Sequence, residues 1–185
     1  MKTLFKGKTI SFIFALLLIN SFLFSPVFAS DSECKWNVSE IQGKEVAEVS
    51  GPQMRKRAKE GRLIELNGVI SAEACASRLV QIDKITIEGE STDGNTVTSW
   101  SFPIVGIGMY GSYDFPEILV KGALSFKAKT GEGYRLSREK EGDVAKMELL
   151  GKAAKLGFAF IIPENSRNEL LLNMNGEKFP FNLSK

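Results

Sequence analysis

Apolar and polar residues alternate along most of the chain, and this pattern predicts short β-strands. In residues 62–70 apolar side chains recur at every second position from 64 onward, as in a strand with one buried face. Residues 79–88 alternate as well, but their apolar phase changes part-way, which predicts a β-bulge at 83–84. Residues 96–102 are rich in strand formers and follow an Asp-Gly turn cluster at 91–95. This region therefore predicts three strands.

The C-terminal region carries a predicted β-hairpin. Apolar residues alternate with others in 170–174 and again in 179–183. The Asn-Gly pair at 175–176 is the one preferred in two-residue turns that need positive φ at both positions. Because Pro180 has no N–H for a neighbouring strand, we expect the last strand at a sheet edge. Just upstream, the continuous apolar run 157–162 is typical of a buried strand.

Two short helices are also predicted. Ser50 and Gln53 have the spacing of a capping box, and Gly61 suits a helix end. Asp143 suits the cap of a second helix over 144–150, for which a strand is the alternative. Strand patterns dominate, so we expect one predominantly β domain.

The N-terminal segment predicts export. Residues 1–29 contain three lysines and no acidic residue, carry an apolar run over 10–24, and end with small side chains at Val27 and Ala29. These are the parts of a secretory signal peptide cleaved near Ala29. An uncleaved membrane anchor is the alternative, because the apolar segment approaches spanning length. We expect a periplasmic or secreted protein in which residues 30–185 form a single β-sandwich domain.

Loss of the signal changes the charge of the protein. The 185-residue chain has 24 Lys and Arg, 22 Asp and Glu, and a formal charge of +2. Removing the three lysines of the signal leaves 21 basic residues against 22 acidic ones. Nucleic-acid-binding proteins carry a surplus of Lys and Arg for phosphate contacts. The mature charge therefore argues against a nucleic-acid partner.

The chain contains no histidine, which excludes a Ser-His-Asp triad, a Cys–His pair and histidine-ligated zinc. Gly106, Gly108 and Gly111 match the dinucleotide-binding motif G-x-G-x-x-G. That motif needs a strand before it and a helix after it, whereas here Pro116 follows closely and no apolar helix comes next. We therefore predict no cofactor and no metal.

Cys34 and Cys75 are the two cysteines of the chain. In an oxidising compartment they most simply form one disulfide. Closing a loop of about forty residues stabilises a fold by ~4 kcal/mol in the chain-entropy model. A reactive thiol is the alternative, but it needs a nearby base that a histidine-free chain supplies poorly.

Residues 100–116 contain a cluster of aromatic side chains among glycines and prolines. Trp100, Tyr110, Tyr113 and Phe115 are candidate partner-binding residues, because tyrosine and tryptophan provide contact area together with a polar group. The alternative is a core strand followed by a glycine-rich connection, with the aromatic side chains buried.

A basic cluster lies in the first predicted helix. Arg55, Lys56, Arg57 and Lys59 are candidates for contact with an anionic surface such as phospholipid headgroups or an acidic cell-wall polymer. The alternative is a solvated helix whose charges are balanced by acids such as Glu60. Membrane contact is thus expected only through the signal segment or this weak basic patch.

Three segments together resemble the DUF4352-type immunoglobulin-like domain of exported bacterial proteins. They are the strand at 61–70, the segment 87–97 with its Asp-Gly turn, and the apolar run 157–163 followed by the leucines at 170–172. The resemblance covers residues 44–183. It implies a two-sheet antiparallel, immunoglobulin-like sandwich with an extracytoplasmic binding role, and it brings no catalytic residues. This chain departs from the family in lacking a lipoprotein cysteine and in carrying the basic cluster.

We therefore expect an exported, non-enzymatic β-sandwich that binds a protein or a cell-envelope component. One alternative is a small exported hydrolase that depends on carboxylates, which needs a cleft with two acids whose pKa values are pushed apart. Another is a structural or inhibitory module in which a disulfide-braced framework presents a loop. The oligomeric state and the partner's identity stay open at this point.

Overall fold

The computed structural model describes residues 34–73, 75 and 77–184. The predicted signal peptide and its cleavage site lie outside these residues. The described part contains fifteen strands and two single-turn 3₁₀ helices, Ile82–Lys84 and Pro116–Ile118. None of its helices has the length and apolar character needed to cross a membrane. The strands are β1 (Lys35–Glu45), β2 (Val49–Ser50), β3 (Arg55–Lys56), β4 (Arg62–Glu73), β5 (Leu79–Gln81), β6 (Ile85–Asp93), β7 (Thr96–Pro103), β8 (Gly106–Met109), β9 (Ser112–Asp114), β10 (Gly122–Lys127), β11 (Gly133–Arg138), β12 (Lys146–Leu150), β13 (Ala153–Ile162), β14 (Glu169–Met174) and β15 (Glu177–Ser184).

Two sheets of unequal size make up most of the fold. The larger has nine strands in the order β7-β6-β14-β15-β1-β4-β13-β8-β9, and the smaller has four in the order β10-β11-β12-β5. Paired strands of the described chain are antiparallel, apart from β1 and β15, which run parallel. β2 and β3 pair separately as a small ribbon. The prediction of a mainly β, two-sheet fold is confirmed.

The nine-stranded sheet curls so that two distant strands approach each other. Ile104 donates its N–H to the carbonyl of Ile85 on β6 at 3.0 Å, and the next residue, Val105, donates to the carbonyl of Ala159 on β13 at 2.8 Å. β6 and β13 are five strands apart in the sheet order. Consecutive residues reach both strands only where the sheet bends back on itself, so one of its faces is an inner face.

The main hydrophobic core lies between that inner face and the four-stranded sheet. Ile87, Phe158 and Leu172 contribute buried side chains from the nine-stranded sheet, and Leu136 and Met147 contribute theirs from the smaller one. Side chains alternate between the two faces of a strand, so the intervening residues of these strands point away from this core. The outer face of the large sheet is therefore free to carry polar groups or a second apolar cluster.

The predicted strand at 62–70 and the C-terminal hairpin are both confirmed. β4 spans the first, and β14 and β15 form the second around a two-residue turn. Asn175 and Gly176 have φ values of 53° and 94°, so both turn residues adopt the positive φ that the Asn-Gly pair predicts. The strands predicted at 96–102 and 157–162 form β7 and the second half of β13.

The prediction that the last strand lies at a sheet edge is wrong, because β15 lies between β14 and β1. β1 pairs with β15 only at Leu183 and Ser184, however. Pro180 is opposite Leu171 of β14, and counting back from the two-residue turn makes this a non-hydrogen-bonded pair. The proline nitrogen therefore faces the stretch where β1 does not pair, and no ladder hydrogen bond is lost.

The helix predicted over 50–61 is wrong. β2 and β3 form an extended ribbon there, in which the N–H of Gly51 donates to the carbonyl of Met54 at 2.9 Å. The ribbon covers the outer face of β4 and β13, where Met54 and Ala58 pack on a second apolar cluster. Gly51 lies so close to Tyr113 that an added Cβ would be 1.7 Å from the tyrosine carbonyl oxygen. This tertiary contact, rather than local capping, determines the path of the segment.

The second predicted helix is also wrong, and its strand alternative is right. β12 buries Met147 and Leu149 and leaves the residues beside them only partly covered, which is the period of a strand. The side chain of Asp143 accepts a hydrogen bond from the N–H of Lys140 at 3.0 Å. Asp143 thus closes a turn before the strand instead of capping a helix.

The change of apolar phase at 83–84 is a change of sheet rather than a bulge. β5 pairs with β12 in the four-stranded sheet, whereas β6 pairs with β14 and β7 in the nine-stranded sheet. The 3₁₀ turn Ile82–Lys84 joins the two strands. Val80 and Ile85 are both buried in the main core, on strands of different sheets, so the apolar phase has to shift between them.

The predicted disulfide between Cys34 and Cys75 is confirmed. Cys34 directly precedes β1, and Cys75 lies just beyond β4. These strands are antiparallel neighbours in which Lys35 is opposite Glu73. The disulfide therefore clamps the open end of a central strand pair.

Candidate functional site

The aromatic segment 100–116 is divided between surface and core. Tyr110 is 74% exposed and Trp100 is half-buried, whereas Tyr113 is 2% exposed and Phe115 is fully buried. The prediction of a partner-binding surface is therefore wrong for Tyr113 and Phe115. Both pack in the apolar cluster outside β4 and β13, so the core alternative is right for these two residues.

The hydroxyl of Tyr113 is engaged within the fold. It donates to Oε1 of Glu65 at 2.7 Å, while Nζ of Lys44 lies 2.9 Å from the other oxygen of that carboxylate. Burial has the largest influence and raises the pKa of Glu65, but hydrogen bonds from Lys44, Tyr113 and Asn67 outweigh it and lower the pKa overall. Burial, together with the Glu65 carboxylate, raises the pKa of Tyr113. Tyr113 is thus a neutral donor to an ionised partner in the outer cluster.

Tyr110 occupies the tip of the β8–β9 hairpin in a left-handed backbone conformation. Its φ is 53° and that of Gly111 is 79°. Two positive φ values define the same type of turn as Asn175-Gly176, and Asn-Gly is the pair that this turn prefers. A bulky residue held there costs of order 1–3 kcal/mol, and such strain clusters at functional sites. A strained and exposed tyrosine therefore marks this tip as a candidate contact point.

A row of three aromatic rings connects Tyr110 to the core. The ring of Tyr110 lies 6.1 Å from that of Phe126 on β10, and Phe126 stacks on Tyr134 of β11 at 6.5 Å. Tyr134 is buried, and its hydroxyl donates to Oδ2 of Asp114 at 2.6 Å and lies 3.1 Å from the carbonyl oxygen of Ile107. Burial, reinforced by Asp114, raises the pKa of Tyr134. The exposed ring therefore rests on a fixed base that joins both sheets.

The ribbon of β6 and β7 is the other exposed aromatic feature. β7 forms one edge of the nine-stranded sheet, and each of its residues is exposed except half-buried Trp100. The rings of Trp100 and Phe102 lie 5.6 Å apart on one face of the ribbon. The indole N–H of Trp100 is buried and has no hydrogen-bond partner within the described residues.

A groove of about 1060 Å³ crosses β15, β14, β6 and β7. Apart from Arg167, which precedes β14, its lining residues fall into three adjacent cross-strand rows. In the middle row, Leu170 and Phe181 bury their side chains in the core. Because side chains alternate between the two faces of a sheet, the side chains of the flanking rows point outward into the groove. The backbone of the middle row forms the floor of the groove. The flanking rows consist of Glu88, Ser101, Leu171 and Pro180 on one side, and Glu90, Ser99, Glu169 and Asn182 on the other.

Ion pairs engage two of the groove's carboxylates. Glu88 accepts hydrogen bonds from Lys178 and from Asn173, each at 2.7 Å, and Glu90 pairs with Arg167 at 2.7 Å. The hydrogen bond from Lys178 has the largest effect on the pKa of Glu88, which is lowered despite partial burial. No motif in the sequence singles out these residues. The available signal was the spacing of Glu88 and Glu90, two acids on one strand with a glycine between them. Residues two positions apart on a strand point to the same face of the sheet.

The basic cluster lies on β3 and directly after it, beside a depression of about 500 Å³. Most of its charge is paired within the protein. Glu48 lies 3.8 Å from Arg55 and 2.6 Å from Arg57, and Lys56 pairs with Glu117. Contact with an anionic surface stays a prediction for the four residues Arg55, Lys56, Arg57 and Lys59.

Several of the described carboxylates serve as hydrogen-bond acceptors and ion-pair partners. Glu48, Glu65, Glu88 and Glu139 each have a pKa below the ordinary value because basic side chains donate to them. Within the described ranges, no three Asp, Glu or Cys side chains are grouped so that they could hold a metal ion.

Comparisons with family models, with curated proteins and with solved structures found no match to this chain. The resemblance to DUF4352-type domains therefore stays a prediction.

Proposed function

We propose that this chain is an exported, non-enzymatic binding module that recognises another protein through Tyr110. The observation that carries the proposal is the position of this residue: 74% exposed at a hairpin tip and held at positive φ where asparagine is preferred. A tyrosine kept in such a place costs stability, and a contact made by its side chain supplies a reason for keeping it.

The surroundings of Tyr110 favour a protein as the partner. The ring of Tyr110 lies beside Phe126, which itself stacks on Tyr134, so less side-chain freedom is lost when a partner covers the ring. Tyrosine combines a large apolar ring with a hydroxyl that hydrogen-bonds at the edge of a contact, and it is enriched among the residues that dominate protein interfaces.

The charges of the groove favour binding over catalysis. A carboxylate-dependent hydrolase needs one acid with a raised pKa next to an ionised one. Glu88 instead has a lowered pKa and two donors, and Glu90 is paired with Arg167. These contacts favour a surface whose carboxylates stabilise the fold and position neighbouring basic side chains.

The test is a comparison of captured partners. The exported protein and its Tyr110→Asn variant are immobilised and incubated with the extracytoplasmic fraction of the producing cell, and bound proteins are quantified by mass spectrometry. We expect at least one protein to be retained by the wild type and lost with Tyr110→Asn, because the substitution keeps the turn but removes the ring.

Val144→Asn is the matched control, since it removes an exposed apolar side chain from a loop before β12. It should retain the wild-type partner. Identical partner sets for Tyr110→Asn and the wild type would contradict the proposal. Retention of a polymer that survives protease treatment of the extract, with no protein retained, would point to an envelope component instead.

A further inference from the structure

β7 presents a free strand edge. It is the terminal strand of the nine-stranded sheet, with β6 as its neighbour on one side. Among the described residues, no backbone hydrogen bond reaches its other side between Thr96 and Ser101. Val97 and Phe102, on opposite faces of the strand, are 48% and 37% exposed. The edge is therefore open both at its backbone and at its side chains.

The register identifies the free backbone groups. The two-residue turn at Gly94-Asn95 makes Asp93 and Thr96 a hydrogen-bonded pair, and bonded and non-bonded pairs alternate from there. Val97, Ser99 and Ser101 fall in non-hydrogen-bonded pairs. Their N–H and C=O groups thus point away from β6, toward the open side.

This edge lacks the devices that normally prevent strand pairing. Exposed edge strands are protected by charged side chains, prolines, bulges or very short length. β7 has eight residues, no charged residue and no bulge against β6, and its single proline, Pro103, is at its end. By comparison β9, the other edge of the same sheet, has three residues. A long, neutral edge of this kind is a template for another strand.

We propose that β7 pairs antiparallel with β7 of a second copy of this chain, about a two-fold axis at Ser99. The free residues Val97, Ser99 and Ser101 are symmetric about Ser99, so Ser99 faces its own counterpart and Val97 faces Ser101 of the second copy. This register satisfies about six backbone hydrogen bonds. It brings no like charges together, because residues 96–102 are uncharged.

The same register covers the exposed apolar side chains of the edge. Trp100 comes opposite Thr98 of the second copy, and Phe102 comes opposite Thr96. Aromatic and β-branched residues are favourable cross-strand pairs. The contact is an isologous one that closes on itself as a dimer. It involves another surface than Tyr110, so it goes beyond the proposed function and is independent of it.

The test is the molecular mass of the exported protein over ~1 to ~500 µM, a range chosen because a single strand pair is at the small end of protein interfaces. Analytical ultracentrifugation should show a monomer–dimer equilibrium. Ser99→Pro removes an N–H that has no partner in β6, so folding is retained. We expect dimerisation to weaken roughly 30-fold or more, since a symmetric contact loses two backbone hydrogen bonds. Ser99→Ala keeps the N–H and is the matched control, which should dimerise like the wild type.

Amide hydrogen exchange provides a second measurement, independent of the variants. The amides of Val97, Ser99 and Ser101 should exchange more slowly at the high end of the concentration range than at the low end. A wild type that is monomeric over the whole concentration range would overturn the proposal. This holds also if a different protein or peptide binds the edge of β7. A dimer whose stability is unchanged by a folded Ser99→Pro variant, or that leaves these three amides unprotected, would overturn it as well.

Discussion

The indole ring of Trp100 lies against the backbone of Gly89, its cross-strand partner on β6. A Cβ added to Gly89 would be 2.7 Å from Cζ2 of Trp100 and 2.7 Å from Cδ2 of Leu170. The glycine thus provides the space in which the ring can lie flat across the ribbon. Trp100 is thereby half-buried on a strand whose other residues are exposed.

Substitution of Gly89 by alanine should displace Trp100. Overpacking of this kind costs typically 1–3 kcal/mol, and the better strand propensity of alanine offsets part of it, so we expect a net loss of ~1 kcal/mol in the free energy of unfolding. Urea unfolding measures the loss. In a Trp100→Ala background the same substitution should cost clearly less, and an equal cost in both backgrounds would show that the ring is not what the new methyl group meets.

Tyr110→Asn should stabilise the protein. It gives the β8–β9 turn the Asn-Gly pair that the β14–β15 turn already has at 175–176, and it relieves a bulky residue from positive φ. We expect the free energy of unfolding, measured by thermal denaturation, to rise by about 0.5–1 kcal/mol. The lost contact with Phe126 offsets part of this gain. A variant that melts below the wild type would mean that the aromatic row contributes more than the turn strain costs.

Removal of the disulfide should destabilise the fold strongly. Cys34 and Cys75 are 41 residues apart in sequence, which corresponds to ~4 kcal/mol in the chain-entropy model. The Cys34→Ser, Cys75→Ser double variant should therefore unfold at a much lower urea concentration. Reductant should shift the wild type toward the same midpoint and leave the double variant unchanged. A midpoint unaffected by either treatment would contradict the clamping of β1 and β4 as a source of stability.

The carboxylate of Glu65 should make the free energy of unfolding depend on pH in the acidic range. Its pKa is lowered in the folded protein by Lys44, Tyr113 and Asn67 despite burial. A lowered folded-state pKa contributes stability that is present above the unfolded value of about 4.3 and is lost as the pH falls through the folded one. We therefore expect the free energy of unfolding to decrease below pH ~5, with a shallower decrease in Glu65→Gln.

The control for this dependence is Glu141→Gln, which alters an exposed carboxylate in the loop before β12. It should leave the wild-type pH profile unchanged. The remaining acid sensitivity of Glu65→Gln comes from other carboxylates with a lowered pKa, such as Glu88, whose Lys178 partner is on β15. Equal slopes for Glu65→Gln and the wild type would place the acid sensitivity entirely in those pairs.

Local patterns predicted the parts of the fold that local physics controls. The Asn-Gly pair at 175–176 favours a two-residue turn with positive φ at both positions, largely independently of its surroundings. The C-terminal hairpin was therefore predictable from the sequence. The alternation in β4 was readable because one of its faces is buried along its whole length. The capping signals near Ser50 predicted a helix that does not form, because packing against Tyr113 and the outer apolar cluster overrides weak local preferences.

The sequence predicted which aromatic residues are candidates for the site, but not which of them lie at the surface. The sequence singled out Tyr110 and Tyr113 together, and nothing local distinguishes them. They separate because Tyr113 is on β9 with its ring against the outer face of β13, whereas Tyr110 lies at the turn that leads into β9. The groove along Glu88 and Glu90 depends on strands more than eighty residues apart in sequence, which no local pattern relates.

By itself the sequence determined the strand-rich character of the chain, its turns and its pair of cysteines, because alternation, Asn-Gly chemistry and residue type act over a few neighbouring positions. Only the tertiary structure decided which strands share a sheet, which tyrosine is exposed, and which edge is left open. Those outcomes depend on pairing between distant segments. The free side of β7 exists because the sheet order places β6 on one side of it and no described strand on the other.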